Sequence, residues 1–320
     1  MEFKTTTEDA GKRLDKFLVA KMPGLSRSQI QKLIKEGLAA VNGVISSSNR
    51  ILKNGEAIAI EKKKGKEKNE EEEKKEEEGW GVRKEIKIIA QTPDYIIINK
   101  PASLATHGAA RMQGPTLADW LLKKFPEIKK VGDDPARPGI VHRLDKEVSG
   151  LMVIARTQLF FDFLKNQFQE RKVGKKYTAL VCGQIKKDEE KINFPIERAS
   201  AGHRMAALPL TFKGAEHAKG RQAATEFNVI KKFVNYTLLK VKIKTGRTHQ
   251  IRVHMSAYGH PLVGDDLYGT KKTRLLNKKL GLGRIFLVAD ELAFTDLKGE
   301  IKIFKLDLPD ELNLFLEKIK

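Results

Sequence analysis

An α+β fold in two parts is what this sequence predicts, and three observations predict it. Strand-like runs and helical stripes follow one another without the strict alternation of a doubly wound sheet. A short helix, helix, hairpin pattern stands apart at the N-terminal end, over residues 1–60. Between the two parts, Glu61 to Glu78 holds nine Glu and seven Lys and no apolar side chain that could bury a face. Pairs of Glu and Lys four apart on a helix contribute only about 0.2–0.5 kcal/mol each, so residues 61–84 are expected to be a charged tether. Residues 85–320 then form the larger domain.

In the first part, Leu14, Phe17 and Leu18 make a helical apolar stripe. The next helix opens at Ser26-Arg27-Ser28-Gln29, a capping pattern, and stops at Gly37. Its Ile30, Leu33 and Ile34 share one face, while Arg27, Gln31 and Lys35 line a neighbouring face with Lys32 beside them, a basic ridge over an apolar base. Asn42-Gly43 marks a hairpin turn after Ala40-Val41, and Lys53-Asn54-Gly55 a second turn before Ala57 to Ile60.

In the second part, strands are expected at Ile86 to Ile89, Tyr95 to Ile98, Tyr177 to Val181, Thr237 to Ile243 and Ile301 to Phe304. Helices are expected at about Thr116 to Phe125, Phe160 to Arg171, His249 to Tyr258 and Asp310 to Ile319. The sheet these strands make is mixed or antiparallel.

A net charge of +20 and a pI near 9.8 imply an acidic partner, nucleic acid above all. No apolar stretch approaches the roughly 20 residues of a membrane span, and the N-terminal residues lack the apolar core of a secretory signal, so a cytoplasmic protein without a membrane partner is expected. The one cysteine, Cys182, lies among Ala179, Leu180 and Val181 and reads as a core residue. The seven histidines form no metal-binding pattern, so no metal or cofactor is expected.

The most informative stretch is His142-Arg143-Leu144-Asp145-Lys146-Glu147-Val148-Ser149-Gly150, just before the apolar run Leu151 to Ala155. Pro138-Gly139 and Ser149-Gly150 read as breaks and Ile140-Val141 as a short strand, which puts Asp145 on a loop held between β elements, a common place for chemistry. A surface ion-pair cluster is the alternative for such a run of charge. With Asn99-Lys100-Pro101, Lys176 to Gly183, Thr245-Gly246-Arg247-Thr248-His249-Gln250-Ile251-Arg252-Val253-His254-Met255 and Gly264-Asp265-Asp266-Leu267-Tyr268-Gly269, the stretch resembles the RluA-like pseudouridine synthases that modify large-subunit ribosomal RNA and some other RNAs. Arg13-Leu14-Asp15 and Ser26-Arg27-Ser28 resemble the S4 RNA-binding domain, a small α/β module.

The resemblance implies a twisted, largely antiparallel sheet with the cleft across its middle, and cofactor-free isomerisation of a uridine flipped out of its stack. It implies that Asp145 is the catalytic aspartate, nucleophile at the sugar or base at the ribose 2′ position. Tyr177 would stack on the base and is a candidate for removing the C5 proton, Ile251 would pack on the other side, and Arg143 would enter the RNA stack. A buried carboxylate needs a fixed cation to stay ionised. Arg247 is expected to be that cation, aimed from the Thr245-Gly246 bend with Thr248 capping the following helix, while Arg252 is expected to meet phosphate. Arg27, Gln31, Lys32 and Lys35 are the remaining candidates for RNA contact. The basic segment Arg198, His203, Arg204, Lys213, His217, Lys219, Arg221 reads as an RNA-gripping loop. The partner expected is RNA, most of all 23S ribosomal RNA, bound by a monomer. A non-catalytic RNA-binding ribosome-assembly factor is the competing reading. Three positions depart from the family pattern: Glu147-Val148 stand for Asp-Thr, Ser103 for glycine and Gly108 for proline.

Overall fold

The computed structural model describes residues 2–22, 27–35, 37–60, 85–108, 114–199, 204–208 and 220–319. Contacts divide the chain into two compact units, Met1–Gly79 and Trp80–Lys320.

The first unit packs two helices, α1 (Leu14–Lys21) and α2 (Arg27–Lys35), on a four-stranded sheet of β1 (Glu2–Lys4), β2 (Ala39–Val41), β3 (Val44–Ile45) and β4 (Ala57–Ile60), in the order β1-β4-β2-β3. Leu14, Phe17 and Leu18 of α1 and Ile30 and Ile34 of α2 are buried against Val41, Leu52 and Ile58. The β2–β3 turn has Asn42 at φ 51° and Gly43 at φ 78°, both left-handed, as the right-handed twist of a tight hairpin requires. Strand β1 was not foreseen; a three-residue edge strand has no periodicity to read. The N-terminal cap expected at Ser26 lies outside the described residues, as does the tether expected at 61–84.

The second unit is built on a nine-stranded sheet. Its first members are β5 (Lys87–Gln91), β6 (Tyr95–Lys100), β7 (Ser149–Ala155) and β8 (Gly174–Cys182). They are followed by β9 (Glu189–Ile192), a separate hairpin of β10 (Ile196–Arg198) and β11 (Met205–Ala207), and then β12 (Thr225–Lys232), β13 (Tyr236–Ile243), β14 (Leu287–Thr295) and β15 (Ile301–Lys305). The order is β5-β6-β7-β14-β8-β13-β12-β9, with β15 paired to β14. Every pairing is antiparallel except β7 with β14, so the sheet is mixed and largely antiparallel. Helices α3 (Leu117–Lys124), α4 (Gln158–Gln169), α5 (Gln250–Ala257), α6 (Lys271–Leu280) and α7 (Asp310–Lys318) complete it.

Both faces of the central strands are covered. On β8, Tyr177, Ala179 and Val181 point into a core that includes Phe160 and Leu164 of α4, while Leu180 and Cys182 point into another with Leu312 and Phe315 of α7. Burial on both sides explains why β7 is buried at all seven positions rather than alternating. Ser149-Gly150, expected to be a break, belongs to β7. A Cβ at Gly150 (φ 129°) would stand 2.2 Å from the Ala289 carbonyl oxygen, so glycine alone lets β7 lie this close beside β14. That approach decides where the site forms: Ala289 pairs with Gly150 on one side and Tyr177 on the other, and Tyr177 in turn pairs with Val241 of β13.

Candidate active site

Asp145 sits on the loop that enters β7, four residues before Ser149. Leu144 and Val148 on either side are buried, and the Val148 amide donates to the Asp145 carbonyl at 3.1 Å, closing a turn. Two further anchors hold the loop from beneath. Thr106 Oγ1 donates to the Leu144 carbonyl at 2.8 Å. Lys100, fully buried, donates through Nζ to the carbonyls of Pro101 (2.9 Å), Leu104 (2.8 Å) and Lys146 (3.4 Å). Burial pulls its pKa down to about 7, against the opposing charges of Asp145 and Glu147. Three carbonyl acceptors match the three N–H groups of an ammonium, so Lys100 ties two loops together. Ser103, in the glycine position, has φ 69°, a left-handed conformation that glycine adopts more readily.

The opposite wall is the segment from Thr245 to Arg252, organised by Gln250. Its Nε2 donates to the Ala224 carbonyl (3.0 Å) and Thr225 Oγ1 (3.1 Å), and its Oε1 accepts from Thr245 Oγ1 (2.7 Å) and the Arg247 amide (3.1 Å). His249 precedes α5 in the left-handed region at φ 54°, costly for a residue with a Cβ and found where a neighbouring arrangement demands it. Thr248 does not cap the helix; the cap position belongs to His249, without a side-chain cap bond.

This turn corrects the expected pairing. Arg252, not Arg247, faces the carboxylate, with Nη1 at 3.5 Å from Asp145 Oδ2. Arg247 swings to the rim, where Nε donates to the Gln222 carbonyl at 3.3 Å. Arg252 is 3 % exposed and therefore not placed to meet phosphate. It is held by Asp265, whose Oδ2 and Oδ1 accept from Nε (2.8 Å) and Nη2 (3.0 Å) in a two-point fork. Asp265 is itself fixed by the Leu267 and Tyr268 amides, both at 3.1 Å. Gly264 (φ 80°) makes that turn possible, since a Cβ there would stand 1.9 Å from the Arg284 carbonyl oxygen. Burial opposes the charge on Arg252 and is outweighed by Asp265, so its pKa is raised.

Asp145, Tyr177, Ile251, Arg143 and Arg247 line one cavity of about 470 Å³. Tyr177 forms its inner wall; burial, with the charges of Asp145 and Asp290, pushes its pKa up, so the group is a neutral phenol. Arg143 is exposed at the mouth. His142 is half-buried and stacked on Phe168, and its Nε2 accepts from the Val153 amide at 3.1 Å. Burial holds its pKa at about 3, so it is neutral and packs rather than reacts. Lys175 lines the same cavity, with Nζ 5.2 Å from the Phe168 ring centre and a pKa lowered to about 8 by burial. Its alternation with Tyr177 on one strand face was the readable signal for it. Gln250, Asp265 and His249 lay inside quoted motifs but had no role assigned, because their partners are distant in sequence.

In the first unit, two of the ridge residues prove to be engaged. Arg27 Nη2 (2.9 Å) and Gln31 Nε2 (2.7 Å) both donate to Asp15 Oδ2, as part of a clasp completed by Arg13. Arg27 remains half exposed and Lys35 exposed; the side chain of Lys32 lies outside what is described. Of the basic segment 198–221, Arg198, Arg204 and Arg221 are described and exposed, and the other four cationic positions are not.

Among the described residues, no cluster of His, Cys, Asp or Glu is arranged to hold a metal ion, and no helix is long and apolar enough to cross a membrane.

A sheet-centred cavity in which a carboxylate faces a fixed cation, in a chain that also carries a small separate helix-and-sheet module, is the make-up of an RNA-modifying enzyme. The chain belongs to the RNA pseudouridylate synthase family, whose match spans residues 94–257; the S4 domain matches residues 12–58. It is an isomerase that converts uridine to pseudouridine. A protein of Aquifex aeolicus (strain VF5), described as an uncharacterized RNA pseudouridine synthase, is 39% identical over 97% of this chain and 94% of its own. Ribosomal large subunit pseudouridine synthase D of Nitrosomonas europaea is 34% identical over 97% of this chain and 85% of its own. Among solved structures, human RNA pseudouridylate synthase domain containing 1 superposes with a TM-score of 0.54 at 26% identity, covering 71% of this chain and 84% of that one.

Proposed function

We propose that this protein isomerises uridine in large-subunit ribosomal RNA, with Asp145 as the group that acts on the ribose. Relatives named ribosomal large subunit pseudouridine synthase D support the substrate, and an S4 match at residues 12–58 supports an RNA-gripping role for the first unit. The observation that carries the reading is the carboxylate of Asp145, 14 % exposed, facing Arg252 inside a cavity walled by Tyr177 and Ile251. The flipped base stacks between the tyrosine and the isoleucine. The bond from N1 to the anomeric carbon breaks, the base turns over, the bond from C5 forms, N1 gains a proton and the C5 proton leaves. These steps balance without an added cofactor. Arg143 at the mouth takes the place of the departed base, a use suited to a planar cation.

A second cavity of about 740 Å³ shares Asp145, Arg143, His249 and Arg252 with the first and adds Lys146, Lys278 and Arg284. Helix α6 beside it exposes Lys271, Lys272, Lys278 and Lys279 and contains no acidic residue. RNA flanking the target uridine runs along this wall. In the first unit, Arg27 and Lys35 face phosphate through their exposed sides. The protein works in the cytoplasm as a monomer on its RNA, and residues 1–60, 61–84 and 85–320 act as gripping module, tether and catalytic domain.

The test is nucleotide-resolution mapping of pseudouridine in RNA from cells with the gene, without it, and with the gene carrying Asp145→Asn. At least one position in large-subunit ribosomal RNA should be modified only with the unaltered gene. Unchanged ribosomal RNA in all three would overturn the substrate; a position still modified with Asp145→Asn would overturn the residue.

A further inference from the structure

The cavity has a second line of contacts to Asp145 that neither the family match nor the Arg252 pairing assigns. His249 Nε2 stands 3.9 Å from Asp145 Oδ1, the carboxylate oxygen that Arg252 does not face. On its other side, His249 Nδ1 is 2.7 Å from Tyr268 Oη. That hydroxyl also accepts the backbone N–H of Met205 at 3.0 Å. Met205 begins β11, opposite Arg198 in the β10–β11 hairpin, and its N–H serves Tyr268. Arg252 lies over the Tyr268 ring at 5.2 Å, so the tyrosine touches both groups that face the carboxylate.

The proton positions are assigned so that each donor in this chain of contacts meets an acceptor. A backbone N–H only donates, so Tyr268 Oη accepts from Met205 and has its own proton free for His249 Nδ1. An imidazole that accepts at Nδ1 carries its hydrogen on Nε2, the nitrogen facing Asp145. His249 thus offers the carboxylate an N–H without adding a second cation. Two cations on Asp145 would stabilise its ionised form further and make it a poorer nucleophile or base. Burial favours the neutral ring as well.

We propose that Tyr268 and His249 are positioning residues for Asp145, connected through the Met205 amide to the β10–β11 hairpin, so that seating of this hairpin sets the hydrogen-bond donor that faces the reacting carboxylate. The hairpin carries Arg198 and Arg204 on its exposed side, a fit for RNA phosphate. Contact between RNA and hairpin is thereby communicated to the site: a seated hairpin supplies the amide, the amide orients the tyrosine hydroxyl, and the hydroxyl fixes the tautomer and tilt of His249. The left-handed backbone at His249, otherwise unfavourable, is what places its ring between Tyr268 and Asp145.

This inference rests on the isomerase reading with Asp145 as the reacting group, and its test separates the two. Single-turnover release of tritium from RNA labelled at uridine C5 is measured at saturating RNA, with RNA affinity and thermal melting measured in parallel. Tyr268→Phe removes the hydroxyl and keeps the ring under Arg252; Met205→Pro removes the amide donor, along with the methionine side chain and the freedom of φ at that position. Each should slow release by about 10- to 100-fold, the scale of a misplaced catalytic group. The double variant should be no slower than the slower single, as for residues acting through one chain of contacts. RNA affinity should stay within about 2-fold, because the loss is in the chemical step. His249→Gln, whose amide restores an N–H near the Nε2 position, should recover most of the rate that His249→Ala loses. Tyr268→Phe releasing label at the parent rate, additive losses in the double variant, or Gln no better than Ala would each overturn the inference while leaving the isomerase reading in place. No release by the parent protein on any cellular RNA would instead overturn that reading.

Discussion

Asp15 in the first unit and Asp145 in the second are both shielded carboxylates set among arginines, and they are held in opposite ways. Asp15, with no exposed side-chain surface, accepts five hydrogen bonds at 2.7 to 3.2 Å, from Arg13, Arg27 and Gln31. Its lone pairs are used up, and the group ties α1 to α2. Asp145 keeps its neighbours at a distance, Arg252 at 3.5 Å and His249 at 3.9 Å, and part of it is open to a cavity. A carboxylate that holds a fold together saturates its acceptors; one that reacts needs its charge stabilised while an oxygen remains free to meet the substrate. Arg252 has its own clamp in Asp265, so the field at Asp145 does not depend on Asp145 to orient its source.

Changing how Asp145 is held has the largest expected effect on rate. Arg252→Lys keeps a charge and loses the two-point fork with Asp265, so kcat should fall by about 100-fold or more with RNA affinity little changed. A parent-like kcat in this variant would show that Arg252 has no part in the site. Asp15→Ala should lower the stability of the first unit by about 2–3 kcal/mol, the scale of hydrogen bonds to a charged group, seen as an earlier melting step. The second unit's step should not move.

The same carboxylate makes stability depend on pH. Burial alone would raise the pKa of Asp15, but the bonds from Arg13, Gln31 and Arg27 outweigh it and hold the group well below the usual carboxylate range. The stabilisation is therefore complete above the unfolded-state pKa of about 4 and is lost as pH falls from there towards the lower folded value. Melting of the first unit should weaken below that pH in the parent and much less in Asp15→Ala. Arg247→Gln should have the smallest effect: a few-fold weaker RNA binding and an unchanged chemical rate, since Arg247 stands at the rim. A rate loss larger than that of Arg252→Lys would restore Arg247 as the carboxylate's partner.

Much of this was legible in the chain. The apolar stripes of α1 and α2, the Asn42-Gly43 turn and the strands at 95–100 and 236–243 follow from local periodicity and turn chemistry, which depend on neighbours a few residues away. The motifs identified the family and the residues lining the cavity. What could not be read was set by partners far along the chain. Which of Arg247 and Arg252 reaches Asp145 depends on a left-handed residue at His249 and on Asp265, and no local pattern announces either. Helix α6 escaped because it buries no residue and so lacks a clear apolar stripe against its many lysines. Arg27 and Gln31 looked like a free cationic ridge because Asp15 lies on the other helix, 12 and 16 residues away.

The most direct test of the account sets the two aspartates side by side. Asp145→Asn and Asp15→Asn each replace one carboxylate oxygen by an amide and preserve side-chain size. Both are mixed with saturating ribosomal RNA carrying tritium at uridine C5, near neutral pH, and release of label to water is followed in a single turnover. Asp145→Asn should bind the RNA and release nothing, while Asp15→Asn, once RNA is saturating, should release label at close to the parent rate. Release by Asp145→Asn at the parent rate would contradict the assignment of the reacting carboxylate, whatever Asp15→Asn does.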